Sequence, residues 1–171
     1  MLTAFLRRPA VFLTLLLGGG GVNGAATPAE PSDSALVVIT SNQDAVRDIN
    51  GSMLREIYLR KIFVNAEGRH YVPVNLPPAH PLRNAFLLAV LHMNAPQLQG
   101  YWDRQYFQGT SPPFVLASQA AVVKFVAATP GAIGYVHRCY VTPEVHVVLH
   151  LSIPDSADAA ALEKCPGAEG R

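Results

Sequence analysis

The residues from Ser118 to Val136, Ser-Gln-Ala-Ala-Val-Val-Lys-Phe-Val-Ala-Ala-Thr-Pro-Gly-Ala-Ile-Gly-Tyr-Val, allow few folds. Ser118 suits a helix N-cap, because its hydroxyl can accept from a free backbone N–H of the first turn. Ala121, Val122, Phe125 and Val126 recur at helical spacing, with Gln119 and Lys124 directed elsewhere. Pro130 ends the helix and Gly131 permits a positive φ, so the chain turns there. Ala132 to Val136 reads as a short buried strand in which Gly134 admits a close neighbour, backbone or ligand. A helix followed at once by a buried strand requires a sheet beneath it.

The rest of the chain supplies that sheet. Ala35 to Thr40 is a continuous apolar, β-branched run of the kind expected for a buried strand of parallel type. The loop Ser41-Asn42-Gln43-Asp44 follows it. Such a loop is either a ligand-binding position or a turn in which Asn42 or Asp44 satisfies local backbone. Ser52 is expected to cap a helix running to about Arg60, with Met53, Leu54, Ile57 and Tyr58 as its apolar stripe. Tyr71 to Leu76 reads as a strand, irregular or at an edge because Pro73 lacks an N–H. Pro81 opens a second helix whose buried face is Leu82, Phe86, Ala89, Val90 and Met93. Asn94 caps a third, to about Tyr106, with Leu98, Tyr101, Trp102 and Tyr106 inward. Phe114 to Ala117 and Glu144 to Leu151 complete the strands. Trp102 and Phe125 are expected in the core. Strands separated by helices give one α/β domain, expected over residues 35–152.

Both ends of the chain read differently. Arg7 and Arg8 precede an apolar run from Ala10 to Leu17, then glycines and small residues near Gly24 and Ala26, the pattern of a cleaved secretory signal over residues 1–26. The run is shorter than the roughly 20 residues that a membrane span needs, so no span is expected after cleavage. Residues 27–34 read as a flexible leader and 153–171 as a C-terminal tail, with a short helix at about Ser156 to Lys164. The protein is expected to be periplasmic or secreted. The 171-residue chain has 13 basic and 12 acidic residues, and loss of Arg7 and Arg8 leaves a net charge near −1. With no basic run, nucleic acid is not an expected partner.

Thr129-Pro130-Gly131-Ala132-Ile133-Gly134-Tyr135-Val136 resembles the closing segment of the second lobe of phosphate-binding proteins of bacterial ABC transporters. Leu54 to Phe63 is similar to that family's helix and following turn. Tyr101-Trp102-Asp103, Phe107-Gln108-Gly109 and Pro112-Pro113 resemble elements of its short single-lobe relatives. The resemblance implies a single lobe of the type 2 periplasmic binding-protein fold, a central mixed sheet flanked by helices. It implies a solute-binding accessory for phosphate or another small anion, with a membrane transporter or periplasmic protein as partner. The alternative is an interaction module that has kept the lobe and lost the ligand.

The resemblance also suggests a site. Phe86 matches a Phe in the family helix that begins Ser-Gly-Thr, so His80-Pro81-Leu82-Arg83 stands where the oxyanion-binding run would be. The hydroxyls are gone and Pro81 removes one donor, but Arg83 retains a guanidinium fork. The implied anion site is Ser41, Asn42, His80 and Arg83, with His80 charged mainly in acid. A second lobe is not expected, since the chain is too short to hold one beside this domain.

Other chemistry finds little footing. His146 and His150 lie about 13 Å apart by strand rise, too far to chelate one ion, and no metal or cofactor is expected. There is no Gly-x-Ser-x-Gly elbow, His-Glu-x-x-His helix or glycine-rich phosphate loop, so no catalytic residue is assigned and no enzyme expected. Cys139 and Cys165 are the only cysteines. In an oxidising compartment they pair as a disulfide, stabilising by about 3 kcal/mol, or else leave a reactive thiol at Cys139.

The signal pattern yields a direct test. Mature protein recovered after export should begin at Ala25 or Thr27, and an intact Met1 on membrane-bound protein by mass spectrometry would contradict it.

Overall fold

The computed structural model describes residues 34–43 and 48–153, together with Leu162 and Cys165. Five strands, β1 (Leu36–Ser41), β2 (Val72–Asn75), β3 (Phe114–Val115), β4 (Ala132–His137) and β5 (Val145–Leu151), form one sheet in the order β3-β2-β4-β1-β5. β3, β2 and β4 run parallel, whereas β1 is antiparallel to both β4 and β5. The expected mixed sheet flanked by helices is therefore present. The helices are α1 (Gly51–Tyr58), α2 (Pro81–Phe86), α3 (Ala95–Tyr106) and α4 (Gln119–Ala128), and a π-turn at Leu87–Leu91 extends α2.

The two faces of the sheet are set at adjacent residues of β4. A Cβ on Gly134 would stand 2.5 Å from Val122 Cγ1 and 3.1 Å from Val126 Cγ2, so α4 packs directly on the strand backbone. Tyr135 points to the opposite face, as strand alternation requires. There its ring stacks on Phe86 of α2 at 3.9 Å, and Phe86 meets Tyr58 of α1 at 4.6 Å. The Tyr58 hydroxyl lies 2.9 Å from the Val74 carbonyl and 3.2 Å from that of Ile133, joining β2 to β4. α1 and α2 thus cover one face and α4 the other.

Several local expectations match. Ser118 caps α4 by accepting from Ala121 N–H, and Gly131 has φ +78° after Pro130. Asn94 caps α3 in a reciprocal box with Gln97.

Others are corrected. β1 is buried throughout but is not of parallel type. An unbroken apolar run reports burial of both faces, and that does not depend on strand direction. Asn50, not Ser52, caps α1 by accepting from Met53 N–H, while the Ser52 hydroxyl donates to Asn50 Oδ1. β2 lies inside the sheet rather than at its edge. It tolerates Pro73 because β3 begins only opposite Val74. Val72 N–H donates towards β4, to Gly131 O, so the nitrogen of Pro73 faces the other side, beyond the start of β3. Tyr106 is 73% exposed, and Trp102 and Phe125 are half-buried at the margin of the core rather than within it. Gln119, expected to point away, is buried. The short helix expected at 156–164 lies, apart from Leu162, outside the described residues, as do Asp44, the signal and most of the leader.

Gly134→Ala should destabilise the protein by about 1–3 kcal/mol, the usual cost of overpacking, because two valines and the Val74 side chain surround the new methyl. An unchanged urea midpoint would show that α4 does not rest on this strand.

Candidate functional site

The carboxyl ends of β2, β3 and β4 lie together, since the three strands are parallel. The segments that leave β2 and β3 there lead to the starts of α2 and α4. In open α/β sheets this is the end at which ligands are held.

His80 is the N-cap of α2, its Nδ1 accepting from Leu82 N–H at 3.2 Å. Burial pushes its ring below the ordinary value of 6.5. Arg83 Nη1 donates to the Leu76 carbonyl at 2.7 Å, anchoring the guanidinium to the end of β2. Leu76 N–H in turn meets the Tyr135 hydroxyl at 3.4 Å, which also lies 3.2 Å from Asn75 Oδ1. Burial drives the Tyr135 hydroxyl far above its usual range, although the Leu76 hydrogen bond and the Arg83 charge act the other way. It therefore stays protonated and able to donate. On the neighbouring side, His137 N–H donates to Gln119 Oε1 at 2.6 Å. This bond draws the side chain of Gln119 into the buried interface.

Arg83 also lines a small cleft, about 100 Å³ in volume, between α2 and α3. Pro78, Asn84, Leu98, Gln99 and Trp102 share the lining. The floor is apolar, and Arg83, Asn84 and Gln99 offer polar groups. Gln99 Nε2 donates to Asp103 Oδ1 at 2.7 Å.

The four residues named from sequence are not brought together. Ser41 and Asn42 lie at the opposite end of the sheet from His80 and Arg83. Because β1 is antiparallel to β4, its carboxyl end meets the start of β4, where Thr40 is opposite Ile133. Ser41 is buried, and its hydroxyl donates to Ala127 O at 3.4 Å and accepts from Gln43 N–H. The Asn42 side chain donates to Pro143 O. Both side chains satisfy backbone groups, but of segments remote in the chain, whereas the turn alternative supposed that Asn42 or Asp44 would satisfy local backbone. Asn84 and Gln99 are not among the residues named from sequence: only the packing of α2 beside α3 makes them neighbours.

Cys139 and Cys165 form a disulfide, their Cα atoms 5.8 Å apart, so Cys139 is not a free thiol. No helix among the described residues is long and apolar enough to cross a membrane.

Comparison with solved structures places this architecture. One match is a Clostridium perfringens protein assigned as a phosphate ABC transporter substrate-binding protein and solved with bound phosphate. Its TM-score is 0.56 and its identity 23%, over 67% of this chain and 44% of that one. The fold is that of phosphate-binding proteins. A second match is an ABC-type phosphate transport receptor from Vibrio cholerae, at TM-score 0.54 and 14% identity, over 79% of this chain and 65% of that one. PstS from Borrelia burgdorferi matches at 0.53 and 17%, over 67% and 46% respectively. The chain thus spans less than two thirds of the length of each of these proteins. No protein-family model matches it, and no curated protein sequence is similar to it.

The histidines give a pH test. Burial lowers the rings of both His80 and His137 below 6.5. As pH falls through that value the unfolded chain takes up protons that the folded chain does not. Their contribution to stability is complete above about pH 6.5 and is lost as pH falls towards the depressed folded values. The urea midpoint should therefore drop between about pH 7.5 and 5.5. His80→Asn, which keeps a cap acceptor, should make that drop shallower; an equally steep one would exclude His80 as a source.

Proposed function

We propose that the protein is an exported, solute-binding-like accessory that takes phosphate or another small oxyanion at the carboxyl end of its parallel strands. The observation that carries this reading is Arg83. A guanidinium fixed to the end of β2 through Leu76 faces a cleft of about 100 Å³, on a fold shared with proteins of phosphate transport. One of its five N–H donors is engaged, and the others remain to form a fork towards an oxyanion. Asn84 supplies a side-chain donor from the same cleft, whereas Ser41 and Asn42 have no part in it. His80 acts as a neutral cap that shapes the start of α2. A membrane transporter or another periplasmic protein would be the partner.

A second reading, an interaction module without ligand, is favoured by a different observation. Phe107 is 88% exposed, Tyr106 73%, Phe114 69% and Val115 52%, along the chain that joins α3 to the edge strand β3. Exposed aromatics gathered on one segment suit a protein partner.

Calorimetric titration with phosphate and with sulfate decides between them. Binding tighter than about 1 mM is expected. Arg83→Ala should weaken it by about 1.5–3 kcal/mol, as for a lost charge-assisted hydrogen bond. Arg83→Lys should recover only part, because the planar fork is lost. No binding below about 1 mM, or Arg83→Ala binding as well as wild type, would decide for the interaction module.

A further inference from the structure

His137, at the end of β4, and the two cysteines form a cluster that the anion reading does not use. One ring nitrogen of His137 and both sulfurs lie within 4.8 Å of one another. His137 is 1% exposed, while Cys139 and Cys165 are exposed. Its Nδ1 accepts from Cys139 N–H at 3.2 Å, so the one lone pair of that nitrogen is engaged on the Cys139 side and must leave this bond to reach an ion. Nε2 is buried and has no hydrogen-bond partner among the described residues. A buried imidazole held against two sulfurs supplies the donor set of a small thiolate–imidazole site.

We propose that reduction of the Cys139–Cys165 disulfide converts this clip into a binding site for a thiophilic cation of the Zn²⁺ type. Zinc holds sulfur at about 2.3 Å and imidazole nitrogen at about 2.0–2.1 Å, which places two bound sulfurs about 3.8 Å apart at tetrahedral angles. The present spacing needs only small side-chain shifts once the S–S bond opens. A dithiol reductant supplies two electrons and two protons: its own thiols become a disulfide, and Cys139 and Cys165 become thiols. The ion displaces both thiol protons to solvent, forms two metal–sulfur bonds and takes the His137 Nδ1 lone pair as third ligand, which breaks the hydrogen bond from Cys139 N–H. Water fills the fourth position. Exposure of the sulfurs lets reductant and ion reach them, and the buried ring gives the site a fixed third donor. The chain end carrying Cys165 is tied to β4 in both states, by a covalent bond in one and by an ion in the other.

The test uses the whole purified protein with Co²⁺ as spectroscopic probe, followed by Zn²⁺. Phosphine-reduced protein should bind one equivalent of Co²⁺, with thiolate-to-cobalt charge-transfer absorption that Zn²⁺ abolishes. Oxidised protein should show neither. Cys165→Ser, which alters an exposed residue, should lose the band. His137→Gln should weaken Co²⁺ at least about tenfold, given that even outer-shell partners of a ligand shift affinity by about 10–100-fold. Equal Co²⁺ affinity in the reduced and oxidised forms would overturn the proposal. So would unchanged affinity in His137→Gln, a Cys165→Ser variant that keeps the band, or reduced protein that loses its circular dichroism and does not regain it with the ion.

Discussion

The missing side chain at Gly134 sets the depth at which α4 rests on the sheet, and its neighbour Tyr135 sets what covers the other side. Adjacent strand residues point to opposite faces, so this one dipeptide positions both helix layers. On the α4 side, Val122 and Val126 come within contact distance of the β4 backbone. On the other, the Tyr135–Phe86–Tyr58 cluster binds α2 and α1 to the same strand. The carboxyl end of the sheet inherits its geometry from these contacts. With α4 seated by its valines, Gln119 in its first turn reaches the His137 N–H, and Tyr135 reaches Leu76, whose carbonyl holds Arg83.

Local chemistry was legible in the residues because it acts over a few positions. Ser118, Asn94 and Gly131 each do what their side chains, or lack of one, favour in isolation. Strand direction is not local. The apolar run of β1 is the same whichever way its neighbours run, and its antiparallel pairing carries Ser41 and Asn42 to the far end of the sheet from Arg83. That single tertiary fact separates the four residues expected to act together. Asn50 displaced Ser52 as a cap by two residues, a choice between two equally suitable side chains. Tyr106 lies at the inward-facing spacing of α3, but the helix ends there and its ring, edge-on to the exposed Phe107, stays 73% exposed.

The anion reading gains from how Arg83 is held rather than from how many groups surround it. A free arginine loses rotamer freedom on gripping an oxyanion, whereas one already bonded to Leu76 loses less. The cleft is small and open, however, so water screens its charge more than in a site enclosed by two lobes. At 14–23% identity, and over less than two thirds of the neighbours' length, the comparison shows a shared fold and carries over neither ligand nor affinity.

The neutral state of His80 bears on how such a site responds to acid. Its Nδ1 holds the first turn of α2 by accepting from Leu82 N–H, and a protonated Nδ1 cannot accept. An imidazolium there would also oppose the positive end of the helix dipole, in the same sense as the burial that lowers its pKa. The ring cannot both cap the helix and lend it charge. Acid therefore loosens the start of α2, the turn that carries Arg83, before it adds any cation to the cleft. A change in anion affinity on acidification would therefore report the geometry of that turn and the protonation of the anion itself, rather than a gain of positive charge from His80.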